Sequence, residues 1–116
     1  MDNKKILLAA NAAVSKGDNE GFLGYCAENS VWEFVGEQVV MGKQAIREYM
    51  SKTYLEPPKF SVRNLIAEGD FVTAVGNITI KDASGKTANY EYCDNWRFEQ
   101  GKMIELRAFV IEKKTS

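Results

Sequence analysis

The spacing of hydrophobic and polar positions changes halfway along the chain, from a helical period to a strand period. A first helix is predicted to begin at a cap on Asp2 or Asn3 and to stop at Gly17. Its apolar positions recur at helical spacing and are Ile6, Leu7, Ala10, Ala13 and Val14. This pattern is typical of a helix with one buried face.

A shorter second helix is predicted to follow a cap on Asp18 or Asn19 and to end at the turn of Asn29 and Ser30. Its apolar residues are Phe22, Leu23 and Cys26. A short strand is then expected over residues 30–35, where β-branched and aromatic residues alternate with polar ones.

The third predicted helix runs from Lys43 to Tyr54, and Pro57 and Pro58 prevent its continuation. After these prolines the period is two, and turn residues separate four strand-like runs. The runs cover residues 60–67, 71–80, 89–98 and 103–113. Helices followed by an antiparallel meander predict an α+β fold, with the helices packed on one face of a curved sheet.

Length and charge limit the class of protein. At 116 residues the chain is long enough for one domain, so we predict a single domain over residues 1–116. The net charge is −1, with 15 basic and 16 acidic residues interspersed, which does not favour nucleic-acid binding. No run approaches the ~20 apolar residues that cross a bilayer, so no membrane partner is expected.

The chain contains no histidine and only two cysteines, Cys26 and Cys93. Zinc and haem sites therefore lack their usual ligands, and histidine-dependent nucleophilic catalysis is excluded. We expect no metal and no organic cofactor. Two unpaired thiols are typical of a reducing compartment, which favours the cytoplasm, although one disulfide stays open from the sequence.

The run NYEYCDNWRF, residues 89–98, places an acid on an aromatic strand face. That face carries Tyr90, Tyr92, Asp94, Trp96 and Phe98. An ionised carboxylate is costly among apolar groups, so Asp94 is expected to be paired, kept neutral by a raised pKa, or open to a cavity. The alternatives are a structural bond to Tyr90 or Trp96, or a bulge that turns Asp94 outward.

Glu33 is the second candidate acid. It lies between Trp32 and Phe34 on the short strand, and simple alternation turns it outward if the two aromatic residues face the core.

Two segments carry a resemblance to a known family: YCAENSVWEFVGEQVVMGKQAIREYM, residues 25–50, and CDNWRFEQGKMIELRAFV, residues 93–110. Together with Gly17 and Asp18 after the first helix, they resemble the NTF2-like superfamily, in its ketosteroid isomerase and SnoaL-like polyketide cyclase branch. The resemblance implies a cone in which about three helices close a curved, mostly antiparallel sheet around an apolar pocket.

The resemblance also implies catalytic roles. Glu33 matches the general base of ketosteroid isomerase, and Asp94 matches the protonated acid that helps to hold the oxyanion. The family's tyrosine donor on the first helix is replaced at residues 9–11, so another donor is expected to substitute. The side chains expected to donate or to line the pocket are Trp32, Tyr54, Tyr92, Trp96, Leu106 and Val110.

The function implied is cofactor-free proton transfer, by isomerisation or cyclisation, on a small hydrophobic carbonyl compound. A non-catalytic module that binds a small ligand or dimerises is the alternative. An epoxide hydrolase is a third hypothesis, but only Asp94 is expected on the inward face, whereas those enzymes need an Asp-Arg-Asp set.

A homodimer through the sheet is also expected, because the last strand has apolar residues on both faces. Met103, Arg107, Phe109 and Ile111 are predicted outside, and Leu106, Ala108 and Val110 inside.

Overall fold

The computed structural model describes residues 2–114, which form three helices and six strands. The helices are α1 Asn3–Ser15, α2 Asn19–Leu23 and α3 Lys43–Thr53. The strands are β1 Cys26–Phe34, β2 Gln38–Met41, β3 Lys59–Glu68, β4 Phe71–Lys81, β5 Thr87–Glu99 and β6 Lys102–Glu112. The predicted α+β class is confirmed, and β2 is a strand that the sequence pattern did not predict.

All six strands form one curved sheet in the order β2-β1-β6-β5-β4-β3. The predicted meander, β3 to β6, is antiparallel throughout. β1 joins the free edge of β6 in parallel and β2 extends the sheet antiparallel to β1. The helices pack against one face, which we call the inner face, and the opposite side is the outer face.

Helix α1 begins and ends as its sequence predicts. The carboxylate of Asp2 accepts a hydrogen bond from the Lys5 backbone N–H at 2.9 Å, which satisfies a free donor of the first turn. After the last turn, Gly17 adopts a positive φ of 87°, a conformation that is easy for glycine and strained for other residues. The buried stripe consists of Ile6, Leu7, Ala10 and Val14.

The second helix is shorter than predicted and the first strand is longer. Helix α2 ends at Leu23, and Cys26 already pairs with Met103 of β6. The expectation that Cys26 belongs to the helix and that the strand begins at Ser30 is therefore wrong. The physical reason is the edge of β6, whose pairing with residues 26–34 outweighs a weak local preference next to Gly24.

Met103 lies in the core and not on the outer face, where alternation predicted it. The register between β5 and β6 shifts by one residue: Arg97 pairs with Glu105, but Phe98 pairs with Met103. The extra residue on β6 reverses the side to which Met103 points, and its side chain is completely buried. Phe109 and Ile111, beyond the shift, lie exposed on the outer face as predicted.

Glycine at position 76 allows a close approach inside the sheet. A Cβ there would collide with the backbone carbonyl oxygen of Ser61 on β3 and would lie 3.1 Å from the Tyr92 hydroxyl. Tyr92 is the cross-strand partner of Gly76, so its ring occupies the space that the missing side chain leaves.

We predict that Gly76→Ala lowers the free energy of unfolding by about 2 kcal/mol or more, because the neighbouring backbone has to move. Urea unfolding monitored by tryptophan fluorescence measures this loss. Gly24→Ala is the matched control, since a Cβ there meets its neighbours only at ordinary contact distances of 3.5–3.6 Å. Equal stability of the two variants would contradict the prediction.

Candidate functional site

A cavity of about 470 Å³ lies between the inner face of the sheet and the helices. Its volume suits a small organic ligand, because such sites usually occupy about 300–1,000 Å³. The predicted pocket residues Trp32, Tyr54, Tyr92, Trp96, Leu106 and Val110 all line it, together with Asp94. The structure therefore brings these seven side chains around one space.

Asp94 lies in the middle of the inner face, with a small residue on each side of it. Its cross-strand partners are Ala74 on β4 and Ala108 on β6, and its neighbours along the same face are Tyr92 and Trp96. Methyl side chains at both lateral positions leave open space above the carboxyl group. Asp94 therefore faces the cavity, and neither a turned-out strand nor a structural bond to Tyr90 or Trp96 accounts for it.

Burial raises the pKa of the Asp94 carboxyl from its usual 3.8 to about 7. Burial is the one cause of this shift, because no group among residues 2–114 supplies a compensating charge or hydrogen bond. Part of the side chain stays accessible, as expected for a group that lines a cavity. Near neutral pH the carboxyl is thus available in both its protonated and its ionised form.

Four tyrosines line the cavity, and the charge of Asp94 acts on three of them: Tyr49, Tyr54 and Tyr92. Burial raises the pKa of Tyr54 and of Tyr49, and raises that of Tyr92 to about 12; the charge of Asp94 adds to each shift. All three phenols consequently keep their protons at neutral pH and can donate hydrogen bonds. Tyr54, the residue that caps the end of α3, is the most strongly shifted of them.

Trp32 is the centre of the aromatic wall. Its ring contacts four other rings edge-on or nearly so, at centroid distances from 5.8 to 6.2 Å. These rings belong to Phe22, Phe34, Tyr49 and Trp96. Within residues 2–114 the indole N–H of Trp32 has no acceptor, although the residue is only 3% exposed. Such an unpaired buried donor is uncommon in folded proteins.

Glu33 does not share the cavity with Asp94, so its predicted role as the base in the pocket is wrong. β1 runs parallel to β6 in a register that pairs Trp32 with Leu106 and Glu33 with Arg107. This register directs Trp32 inward and Glu33 to the outer face. There the Arg107 Nε donates to a Glu33 carboxylate oxygen at 3.1 Å.

The sequence did not identify several cavity residues. Asn11 and Val14 come from α1, Phe22 from α2, and Tyr49 and Met50 from α3. Their helical spacing indicated a buried stripe, but a stripe alone does not distinguish contact with a cavity from contact with the core. Phe34 was detectable, because it shares the parity of Trp32 on the same strand.

Within residues 2–114, no cluster of three or more cysteine, aspartate or glutamate side chains is arranged to hold a metal ion. In the same part of the chain, no helix is long and apolar enough to cross a lipid bilayer.

The family model of the SnoaL-like domain matches residues 7–106. The chain therefore belongs to the SnoaL-like family, within the NTF2-like superfamily. No curated protein sequence matches the chain.

Solved structures share the fold across almost the whole chain. The epoxide hydrolase/cyclase-like enzyme SalBIII, described for pyran ring formation in the polyether salinomycin, has a TM-score of 0.85 at 23% identity, covering 93% of this chain and 89% of its own. An NTF2-like protein of unknown function from Cytophaga hutchinsonii has a TM-score of 0.76 at 24% identity, covering 95% and 100%. A putative SnoaL-like polyketide cyclase from Jannaschia sp. CCS1 has a TM-score of 0.78 at 17% identity, covering 93% and 84%.

We predict that the Asp94 carboxyl titrates near pH 7 and that this titration affects stability. The folded protein holds one more proton than the unfolded chain between the usual pKa of 3.8 and the folded pKa of about 7. Stability contributed by protonated Asp94 is therefore present at low pH and is lost as the pH rises from 3.8 to about 7. The loss is about 1.4 kcal/mol per pH unit, on the order of 4 kcal/mol in all.

Carbon-detected NMR of labelled aspartate measures the pKa, and urea unfolding at a series of pH values measures the loss. Asp94→Asn should remove this slope and make the protein more stable than the wild type above pH 7. The exposed Asp70→Asn variant is the control and should keep the slope. A carboxyl that titrates near its usual value in the wild type would contradict the prediction.

Proposed function

We propose that this protein catalyses proton transfer without a cofactor, by isomerisation or cyclisation, on a small hydrophobic carbonyl compound bound in the cavity. The observation that carries the proposal is the position of Asp94: a single carboxyl with a pKa of about 7, in the middle of an aromatic cavity and facing open space. A general acid or base is most effective when its pKa lies near the working pH.

In this proposal Asp94 acts as both base and acid. Its ionised form removes the proton from the carbon next to the substrate carbonyl, and the carbonyl becomes an enolate. The protonated carboxyl then returns the same proton, to another carbon in an isomerisation or to the new alkoxide in an aldol-type cyclisation. The proton count balances, and the second acid that Glu33 was expected to supply is not needed.

Neutral tyrosines supply the hydrogen bonds for the enolate oxygen. Tyr54 and Tyr92 line the cavity, and the charge of Asp94 acts on the pKa of both. Phenols of raised pKa stay protonated as negative charge develops nearby, so they are suitable oxyanion donors. They take the place of the donor that residues 9–11 of α1 lack, where Asn11 is the polar residue that lines the cavity.

The family and its structural neighbours support a cyclase-type reaction. SalBIII is described in ring formation, and the Jannaschia neighbour is described as a putative polyketide cyclase. At these sequence identities the likeness supports a common architecture, and the chemistry proposed for this chain depends on its own Asp94.

A second candidate function is binding of a small apolar ligand without turnover. The outward position of Glu33 favours this second function, because Asp94 is then the one acid in the middle of the inner face. In that case the Asp94 carboxyl holds a polar atom of the ligand, and no proton leaves carbon.

We predict that the wild-type protein accelerates exchange of the α-protons of β-tetralone with deuterated water and that Asp94→Asn lowers this rate by about 10²–10⁴-fold, the usual contribution of a positioned acid or base. Proton NMR of the ketone measures exchange. The rate should increase with pH through the pKa of about 7, because the ionised form removes the proton.

Tyr54→Phe should lower the rate while keeping the same pH profile, and Tyr25→Phe, outside the cavity lining, is its matched control. Exchange no faster than in buffer would reject the catalytic function for this class of ketone. Binding of the ketone in that case would support the second candidate.

We also propose that two copies of the chain associate through their outer faces. Exposed apolar side chains extend across this face from β2 to β3, and they are Val39, Met41, Ile66, Phe71, Phe109 and Ile111. Charges of both signs lie among them, in the pairs Glu33–Arg107 and Arg97–Glu105. A face of mixed charge is complementary to itself after a twofold rotation.

Light scattering at micromolar concentration should therefore give the mass of two chains, and Ile111→Glu should give the mass of one. Ile111 is 70% exposed, so its replacement leaves the core intact. Leu8→Glu, at an exposed apolar residue of α1, is the control and should keep the larger mass. A wild-type protein with the mass of one chain would reject the dimer.

A cytoplasmic location also stays a proposal. Cys26 and Cys93 are free thiols, as is usual in a reducing compartment. Cell fractionation tests it, and recovery of the protein from a secreted or periplasmic fraction would reject it.

A further inference from the structure

The charged side chains around the rim of the cavity are mostly acidic. Four exposed charged residues line the cavity apart from Asp94, and we call them the mouth: Glu37, Lys52, Asp82 and Glu112. They come from the β1–β2 turn, the last turn of α3, the β4–β5 turn and the end of β6. The mouth therefore contains three carboxylates and one ammonium group.

The three acids converge on one aromatic ring. Tyr90 of β5 lines the cavity and its cross-strand partner is Glu112. The pKa of Tyr90 is raised by burial first, and then by the charges of Glu112, Glu37 and Asp82. Carboxylates from three separate elements thus act together on one residue of the cavity lining.

Nearby lysines leave much of this charge uncompensated. Lys81 is paired with Glu56 at 3.2 Å, and the Lys113 ammonium lies 3.5 Å from the Asn77 side chain, whose strand position faces outward. Lys86 acts on Asp82 within the β4–β5 turn. Among residues 2–114, Glu37 and Glu112 form no ion pair.

The interior of the cavity gives an independent indication of a polar ligand. Asp94 lines the cavity between two alanines and has no hydrogen-bond or charge partner among residues 2–114. An apolar molecule with an acceptor such as a carbonyl satisfies the protonated carboxyl. Its other end then lies among the acids of the mouth, near Tyr90.

Resting on the proposed function, we propose that the cavity selects ligands whose outer end is cationic, such as an amine, and discriminates against ligands that carry a carboxylate or phosphate there. The carboxylates attract a cation as it enters, and the Tyr90 ring adds a cation–π contact. An anion at the same place meets three like charges and a single lysine.

The test uses three naphthalene probes that differ in one substituent: aminomethyl, which is cationic, hydroxymethyl, which is neutral, and carboxylate. Calorimetric titration at about pH 6 keeps Asp94 mostly protonated, so that its own charge contributes little. At an ionic strength of about 10 mM, where the Debye length is about 30 Å, the cation should bind about tenfold more tightly than the anion, with the neutral probe between them. In about 1 M salt the three affinities should converge.

Removing acids and removing the lysine of the mouth should change the ratio of the cation affinity to the anion affinity in opposite directions. Glu37→Gln/Glu112→Gln should reduce the preference for the cation, and Lys52→Gln should increase it. Glu48→Gln removes an exposed acid of α3 that does not line the cavity, and it should leave the ratio unchanged.

Equal affinities of the three probes at low salt would overturn the charge selection and leave the proposed catalysis standing. If Glu37→Gln/Glu112→Gln leaves the ratio of the cation affinity to the anion affinity unchanged, the charge selection is likewise overturned and the proposed catalysis stands. Failure of all three probes to bind would overturn the charge selection, whereas the proposed catalysis is decided separately by the exchange of the β-tetralone protons.

Discussion

The structure depends on one energetic conflict, a carboxyl group placed among aromatic rings. Burial without a compensating partner favours the neutral form of Asp94 and raises its pKa to about 7. The strands beside it supply alanines and no cation, so the conflict is not relieved by an ion pair. A residue that destabilises the fold at neutral pH in this way is more easily explained by chemistry than by packing.

Strand register decides which acid takes part in that chemistry. Glu33 and Asp94 both lie between aromatic neighbours, but they point to opposite faces of the sheet. β1 joins β6 in a register that directs Trp32 inward and pairs Glu33 with Arg107 on the outer face. A shift by one residue would exchange these roles, because side chains alternate along a strand. Of these two acids, Asp94 alone lines the cavity.

The cavity combines an apolar interior with a charged rim. Tyrosines kept neutral by burial surround Asp94, and acidic side chains surround Tyr90 at the entrance. Dry walls strengthen hydrogen bonds to a developing charge, while exposed charges act mainly on the approach and orientation of a ligand. In these proposals the interior around Asp94 determines the type of reaction, and the acidic rim determines which ligands are preferred.

The sequence by itself determined most of the elements and part of the cavity wall, because local periodicity and turn residues are sufficient for that. It predicted α1 and α3, the four-strand meander and the inward face of β5 with Asp94 on it. For Glu33 the local alternation indicated the outer face and the family resemblance indicated the pocket, and the sequence did not decide between them. It also did not determine the parallel pairing of β1 with β6 or the register shift that buries Met103. The side on which Glu33 lies depends on a pairing between residues about 74 positions apart, which leaves no local pattern. The shift at Met103 lies within the β5–β6 hairpin, but strict alternation does not predict an extra residue, so only the tertiary structure decided both.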